Sequence, residues 1–124
     1  MSNFGSMSAE ALAKGLRAKE FTAREVAEGS LERIAAVDQQ VNAFLEVTPE
    51  LALQAADAVD AAIAAGTIDA MGPLAGVPIA FKDNMNLVGT HTTCASRMLE
   101  SYVSPYTATC VQKMLDAGII PLGK

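Results

Sequence analysis

Histidine, cysteine and basic residues are the scarce groups in this chain, and each scarcity removes a class of chemistry. One histidine, His91, and two cysteines, Cys94 and Cys110, stand among 124 residues. The cysteines lie sixteen positions apart in no metal-binding spacing, so neither a zinc site nor a disulfide framework is supported, and both are expected as buried or half-buried free thiols. Nine Lys and Arg against fourteen Asp and Glu give a net charge of −5, which leaves no basic surface for nucleic-acid phosphates. No apolar run approaches the roughly 20 residues of a membrane span, and the start Met-Ser-Asn-Phe-Gly has no basic-then-apolar leader. A cytoplasmic location is the resulting expectation. No internal repeat is evident.

What is present is an ordered series of helix and strand signals. Ser8 can cap a first helix carrying Leu12 and Leu16 and closing at Lys19-Glu20. Thr22 and Glu25 make a capping box for a second helix, with a stripe of Val26, Ser30, Leu31, Ile34 and Ala35 and an end near Asp38. The alternation from Val41 to Val47 predicts a strand. Thr48-Pro49 then starts a third helix, with Leu51, Ala52, Ala55, Val59, Ala62 and Ile63 inward and Gly66 as its stop. Its Ala-rich surface fits close packing on a sheet better than a membrane or partner surface, and Asp57 and Asp60 have no basic neighbour in sequence to attract anionic lipid. A strand around Val77–Phe81, a loop-rich stretch to Pro105, a fourth helix capped by Thr107, and a strand from Ile119 to Leu122 complete the pattern. Strand, helix, strand predicts α/β layering with both apolar strands in one sheet. Pro121 disfavours a central, fully paired place for that residue.

The segment Gly72 to Asn84, Gly-Pro-Leu-Ala-Gly-Val-Pro-Ile-Ala-Phe-Lys-Asp-Asn, concentrates the chemistry. Val77, Ile79 and Phe81 alternate with Pro78 and Ala80, so the run reads as a short strand covered on both faces that carries Lys82 into or beside the core. An ammonium there must pair or lose its proton, and a neutral lysine is a base. On spacing alone such a lysine is more often a solvated surface residue. Asp83 and Asn84 read as turn residues, with a role for Asp83 in supporting the lysine as the sharper alternative. Gly72 and Gly76 do not make a phosphate loop, since no Gly-Lys-Ser/Thr follows at helix-start spacing, and Gly123-Lys124 is no Walker motif. Ser96, Ser101 and Ser104 read as loop and cap hydroxyls.

Gly72, Pro73, Leu74, Gly76, Pro78, Lys82 and Asp83 follow the pattern Gly-Pro-Leu-x-Gly-x-Pro-x-x-x-Lys-Asp, which resembles the amidase signature enzymes. The likeness continues through Asn84, Thr92-Thr93-Cys94-Ala95-Ser96, Met98-Leu99-Glu100, Pro105-Tyr106, Ala108-Thr109, Ala117-Gly118 and Gly123-Lys124. Within that family, Thr-Thr-Cys-Ala-Ser-x-Met-Leu-Glu is similar to the A subunits of bacterial glutamyl-tRNA(Gln)/aspartyl-tRNA(Asn) amidotransferases. Thr92, Thr93 and Cys94 are expected to pack near the lysine, and Thr107 stands where the family usually has Asp, another good helix cap.

The resemblance implies an α/β amidase signature fold, a mixed central sheet covered by helices. Residues 1–71 would form a helical region with one strand, and 72–124 the start of the core. It implies Lys82 as general base of a Ser-Ser-Lys triad whose two serines lie beyond Lys124, in an amidase that releases ammonia from glutamine or asparagine. Subunits B and C would be partners in a heterotrimer, one of them using ATP and magnesium to amidate Glu-tRNA(Gln) or Asp-tRNA(Asn), and no cofactor is expected in this chain. A stand-alone amidase of small carboxamides and a non-catalytic interaction module are the alternatives. The family's greater length, with the apolar run Ile119 to Leu122 so near Lys124, leads to the expectation of an amino-terminal fragment with exposed strand surface.

Overall fold

A computed structural model describes residues 4–124. The first helix, α1 (Ala9–Arg17), starts where Ser8 Oγ accepts the Ala11 N–H at 3.1 Å, and it buries Leu12, Ala13, Gly15 and Leu16. The second, α2 (Ala23–Val41), has both halves of the expected capping box: Glu25 N–H donates to the Thr22 hydroxyl, and the Thr22 N–H to the Glu25 carboxylate. Its other free N–H groups, on Ala23 and Arg24, donate to the Asp60 carboxylate at 2.8 and 3.0 Å. Asp57 pairs with Arg24 at 2.8 Å. The acidic face of the third helix thus serves the start of the second, a tertiary use that sequence spacing does not reveal. On α2 the buried face is Ala23, Val26 and Ala27, with Leu31 and Ile34 half-buried, whereas Ala35 is exposed.

The strand expected from Val41 to Val47 is not formed. Val41 ends α2, Asn42 turns left-handed at φ 54°, and Asp38 Oδ1 accepts the Ala43 N–H at 2.8 Å. An asparagine tolerates that conformation, so the helix closes there and the alternation beyond it never becomes a ladder. Of the seven residues only Val47 makes a strand bridge, antiparallel to Gly123, with Leu45 and Glu46 beside it donating their N–H groups to Lys124 O. The third helix, α3 (Pro49–Ala65), begins and stops as expected, with Pro49 in the first turn and Gly66 at φ 72°. Thr48 differs in its work: its hydroxyl donates to Pro121 O at 3.0 Å instead of capping the helix. Ala52, Ala56, Val59 and Ala62 are buried, while Leu51, Ala55 and Ile63 are only half-buried.

The two strands, β1 (Pro78–Ala80) and β2 (Ile120–Gly123), are parallel, with Pro78 opposite Ile120 and Ile79 opposite Pro121. The register then shifts so that Ala80 faces Gly123. The irregularity directly after Pro121 accommodates a proline in a strand that has neighbours on both sides, β1 and residues 45–48. Gly123 is required there: a Cβ would lie 2.3 Å from Glu46 O. The helix between them, α4 (Thr109–Asp116), starts from Ala108, and the Thr107 hydroxyl expected as its cap instead accepts the Val88 N–H at 3.1 Å.

Two apolar clusters flank this sheet. Leu16, Val26, Ala52, Val59, Ile120 and Leu122 join α1, α2 and α3 to one face, and Phe81, Leu87, Val111 and Ile119 join α4 to the other. The expected exposed apolar surface at Ile119–Leu122 is therefore absent: Ile119 is 3% exposed, Ile120 0% and Leu122 9%. Layers on both faces and neighbours on both edges bury the strand. Gly76, at φ 85°, turns the chain into β1 directly beneath α1, where a Cβ would sit 2.3 Å from Leu16 Cδ1.

Candidate active site

Parallel pairing brings the carboxyl ends of β1 and β2 side by side, and each is followed by a lysine at the end of an apolar run: Pro-Ile-Ala-Phe-Lys82 and Ile-Pro-Leu-Gly-Lys124. Ligand sites of α/β sheets form at such ends. A cleft of about 530 Å³ opens here, edged by Lys82, Asp83, Cys94 and Lys124 and walled by Leu45 and Phe81.

Lys82 is exposed within these residues, beside the core rather than inside it, the second of the two places expected of it. Phe81, 4% exposed, takes the inward position and Asp83, 8% exposed, the next one, so alternation turns Lys82 outward to the cleft. The buried lysine is Lys124, which has no role in the sequence reading. Its side chain is 0% exposed, and Nζ lies 3.2 Å from Asp83 Oδ1, 2.9 Å from His91 O and 3.2 Å from Thr92 Oγ1. Contact with Oδ1 is an ion pair without good hydrogen-bond alignment. The other carboxylate oxygen, Oδ2, accepts from Thr93 N–H at 2.9 Å and from the Thr93 hydroxyl. Burial pushes the Asp83 carboxyl upward, but the two Thr93 bonds and Lys124 together outweigh it and leave its pKa lowered from the ordinary 3.8.

The run Thr92-Thr93-Cys94 therefore gains a physical account. Thr92 and Thr93 hold Lys124 and Asp83, and Cys94 donates its N–H to Asp83 O at 3.0 Å while its side chain borders the cleft. Cys94 and Ala95 are both left-handed, at φ 52° and 56°, so the lip of the cleft carries backbone strain. Both cysteines are exposed rather than buried: Cys94 lies on this loop and Cys110 in the first turn of α4. Asp83 does more than shape a turn, whereas Asn84 is simply exposed in the turn closed by Met85 N–H on Lys82 O at 3.0 Å. Glu46 carries no signal in the sequence; it accepts the His91 N–H at 2.7 Å and faces the ring Nδ1 at 3.3 Å.

The serines are occupied as loop groups. Ser96 accepts the Met98 N–H at 3.3 Å, buried Ser104 donates to Tyr106 O at 2.6 Å, and Ser101 is exposed in a turn. Among the described residues no group of three or more His, Cys, Asp or Glu could hold a metal ion, and no helix is long and apolar enough to cross a membrane.

The amidase family profile matches residues 25–124. The A subunit of glutamyl-tRNA(Gln) amidotransferase from Acidothermus cellulolyticus is 52% identical over 100% of this chain and 24% of its own length. Among solved structures, peptide amidase from Stenotrophomonas maltophilia is 30% identical with a TM-score of 0.89, over 98% of this chain and 25% of that one. The A subunit of the Thermotoga maritima glutamyl-tRNA(Gln) amidotransferase is 31% identical with a TM-score of 0.74, over 100% and 24%. The chain thus spans about a quarter of the length of these relatives. Its sequence, its sheet and its helix layers agree on one conclusion: the chain belongs to the amidase family.

Proposed function

We propose that this chain supplies the lysine-bearing quarter of the glutaminase site in the A subunit of a tRNA-dependent amidotransferase. The observation that carries the reading is the position of Lys82, at the carboxyl end of the paired strands, on a cleft where Asp83 and Lys124 are held in place. In the proposed reaction Lys82 takes a proton from a bridging serine, which relays proton transfer with a nucleophilic serine. That nucleophile attacks the amide carbonyl of glutamine or asparagine, ammonia leaves, and water hydrolyses the acyl-enzyme. Both serines are assigned to the remaining length of the relatives. Subunits B and C are the proposed partners, with ATP and magnesium used in one of these partners to amidate Glu-tRNA(Gln) or Asp-tRNA(Asn) in the cytoplasm. The acidic balance of this chain supports holding the tRNA elsewhere in the complex.

The test is Lys82→Ala in the intact subunit. Glutamine hydrolysis is expected to fall about 10²–10⁴-fold with the thermal midpoint little changed, because a neutral alanine removes the base without adding charge. Near-normal turnover would contradict the assignment. A stand-alone carboxamide amidase is the second reading, favoured by the higher TM-score of the peptide amidase, 0.89 against 0.74. Sequence favours the first: the curated relatives at 45–52% identity are amidotransferase A subunits. Co-purification with two companion subunits decides between them.

A further inference from the structure

Two lysines end the two paired strands, and only one of them is tied down. The Lys124 ammonium donates to His91 O and Thr92 Oγ1 and forms an ion pair with Asp83 Oδ1, and its side chain is 0% exposed. The Lys82 ammonium has no hydrogen-bond or ion-pair partner among the described residues. Asp83 lies between these two states, following Lys82 in the chain and facing Lys124 in space.

We propose that Asp83 and Lys124 form a charge-balanced clamp that positions Lys82 and sets the electrostatic field in which it exchanges its proton, while Lys124 stays out of the proton transfer. The inference rests on Lys82 being the base. Position follows from the backbone: Asp83 O accepts the Cys94 N–H and Asp83 Oδ2 the Thr93 N–H, so the residue after Lys82 is fixed to the opposite lip of the cleft. The field follows from charge. An unpaired carboxylate beside Lys82 would favour its ammonium form, and an unpaired buried ammonium would disfavour it, whereas the pair presents neither. The other groups near the cleft do not upset this balance. Glu46, held by the His91 N–H, and Asp38, held by the N–H groups of Ala43 and Phe44, are common to every variant compared below, so they leave the differences between variants unchanged. Lys124 cannot serve as the base without breaking its buried pair. Asp83 and Lys124 are therefore positioning residues.

The experiment is the pH profile of kcat/KM for glutamine in the intact subunit within its complex. Wild type is compared with Lys124→Met, Asp83→Asn and the double variant, with Lys82→Ala as reference. Lys124→Met is expected to move the acid limb up by about half to one pH unit, and Asp83→Asn to move it down by a similar amount. The double variant is expected to return the limb to the wild-type position, with kcat still reduced about 10-fold by the looser loop. A merely structural pair would lower kcat without these opposed displacements. If Lys124→Met fails to fold, Asp83→Asn and the neutral double variant decide. An unmoved limb in the variants that fold, with Lys82→Ala inactive, overturns the clamp alone; an active Lys82→Ala overturns the base assignment and the clamp with it.

Discussion

Asp83 accepts two hydrogen bonds at Oδ2 and pairs with Lys124 at Oδ1, and its linkage to pH is open to measurement. Its carboxyl is lowered from the ordinary 3.8 in the fold, so it contributes stability that is complete above that value and is lost as pH falls through the lower folded value. Urea midpoints of wild type and Asp83→Asn should therefore differ by a constant amount from pH 7 down to about 5, and the gap should begin to narrow below about pH 4, as pH falls toward the lower folded value. A gap that keeps its neutral-pH size throughout the acid range would show that the pair is not what the carboxylate stabilises. Half of this site is legible in the sequence. Lys82 follows a glycine- and proline-bounded strand and stands out, but Lys124 ends a second apolar run in the same way and its sequence context offers only a failed phosphate motif. Nothing in a linear pattern says that two strands are parallel neighbours, and that adjacency is what joins Asp83 to Lys124 across the sheet.

Among the elements, those with their signals inside a few residues form as the sequence indicates: the Ser8 cap, the Thr22–Glu25 box, Pro49 and Gly66. Those whose hydrogen bonds run to distant partners do not. Residues 45–48 spend theirs on Leu122 and Lys124, the Thr107 hydroxyl spends its on Val88, and neither use leaves a trace in local periodicity. Gly76 shows how such a distant constraint can be probed. It joins the loop to β1 at φ 85° with Leu16 Cδ1 2.3 Å from where a Cβ would be. Gly76→Ala should cost about 2–4 kcal/mol, combining the left-handed backbone with overpacking against α1. A denaturation midpoint within about 0.5 kcal/mol of wild type would show that α1 yields freely at this contact.

At the scale of the whole molecule, one purified sample tests both chemistry and surface. The hydroxyls of Ser96 and Ser104 are committed to loop and backbone bonds, and Lys82 has no serine partner among the described residues, so the 124 residues alone should release no ammonia from glutamine above the uncatalysed rate. Turnover that survives repurification would require a nucleophile within these residues. Sedimentation of the same sample reads the surface. With β2 enclosed, the apolar groups left outside include Met98 at 93%, Val41 at 64%, Leu45 at 59% and Tyr106 at 56% exposed. Self-association, if present, should therefore weaken when Met98 and Tyr106 are made polar, and should be indifferent to changes at Ile120. The placement of β2 between β1 and residues 45–48 also fixes an order of events on the ribosome. The Thr48 hydroxyl waits for a carbonyl 73 residues downstream, an interval of about 4–15 s at ordinary rates of synthesis. Through that interval α2 and α3 can pair, but the apolar side of α3 that awaits Ile120 and Leu122 stays uncovered. The nascent chain is therefore expected to bind chaperones until Lys124, which follows β2, has left the exit tunnel.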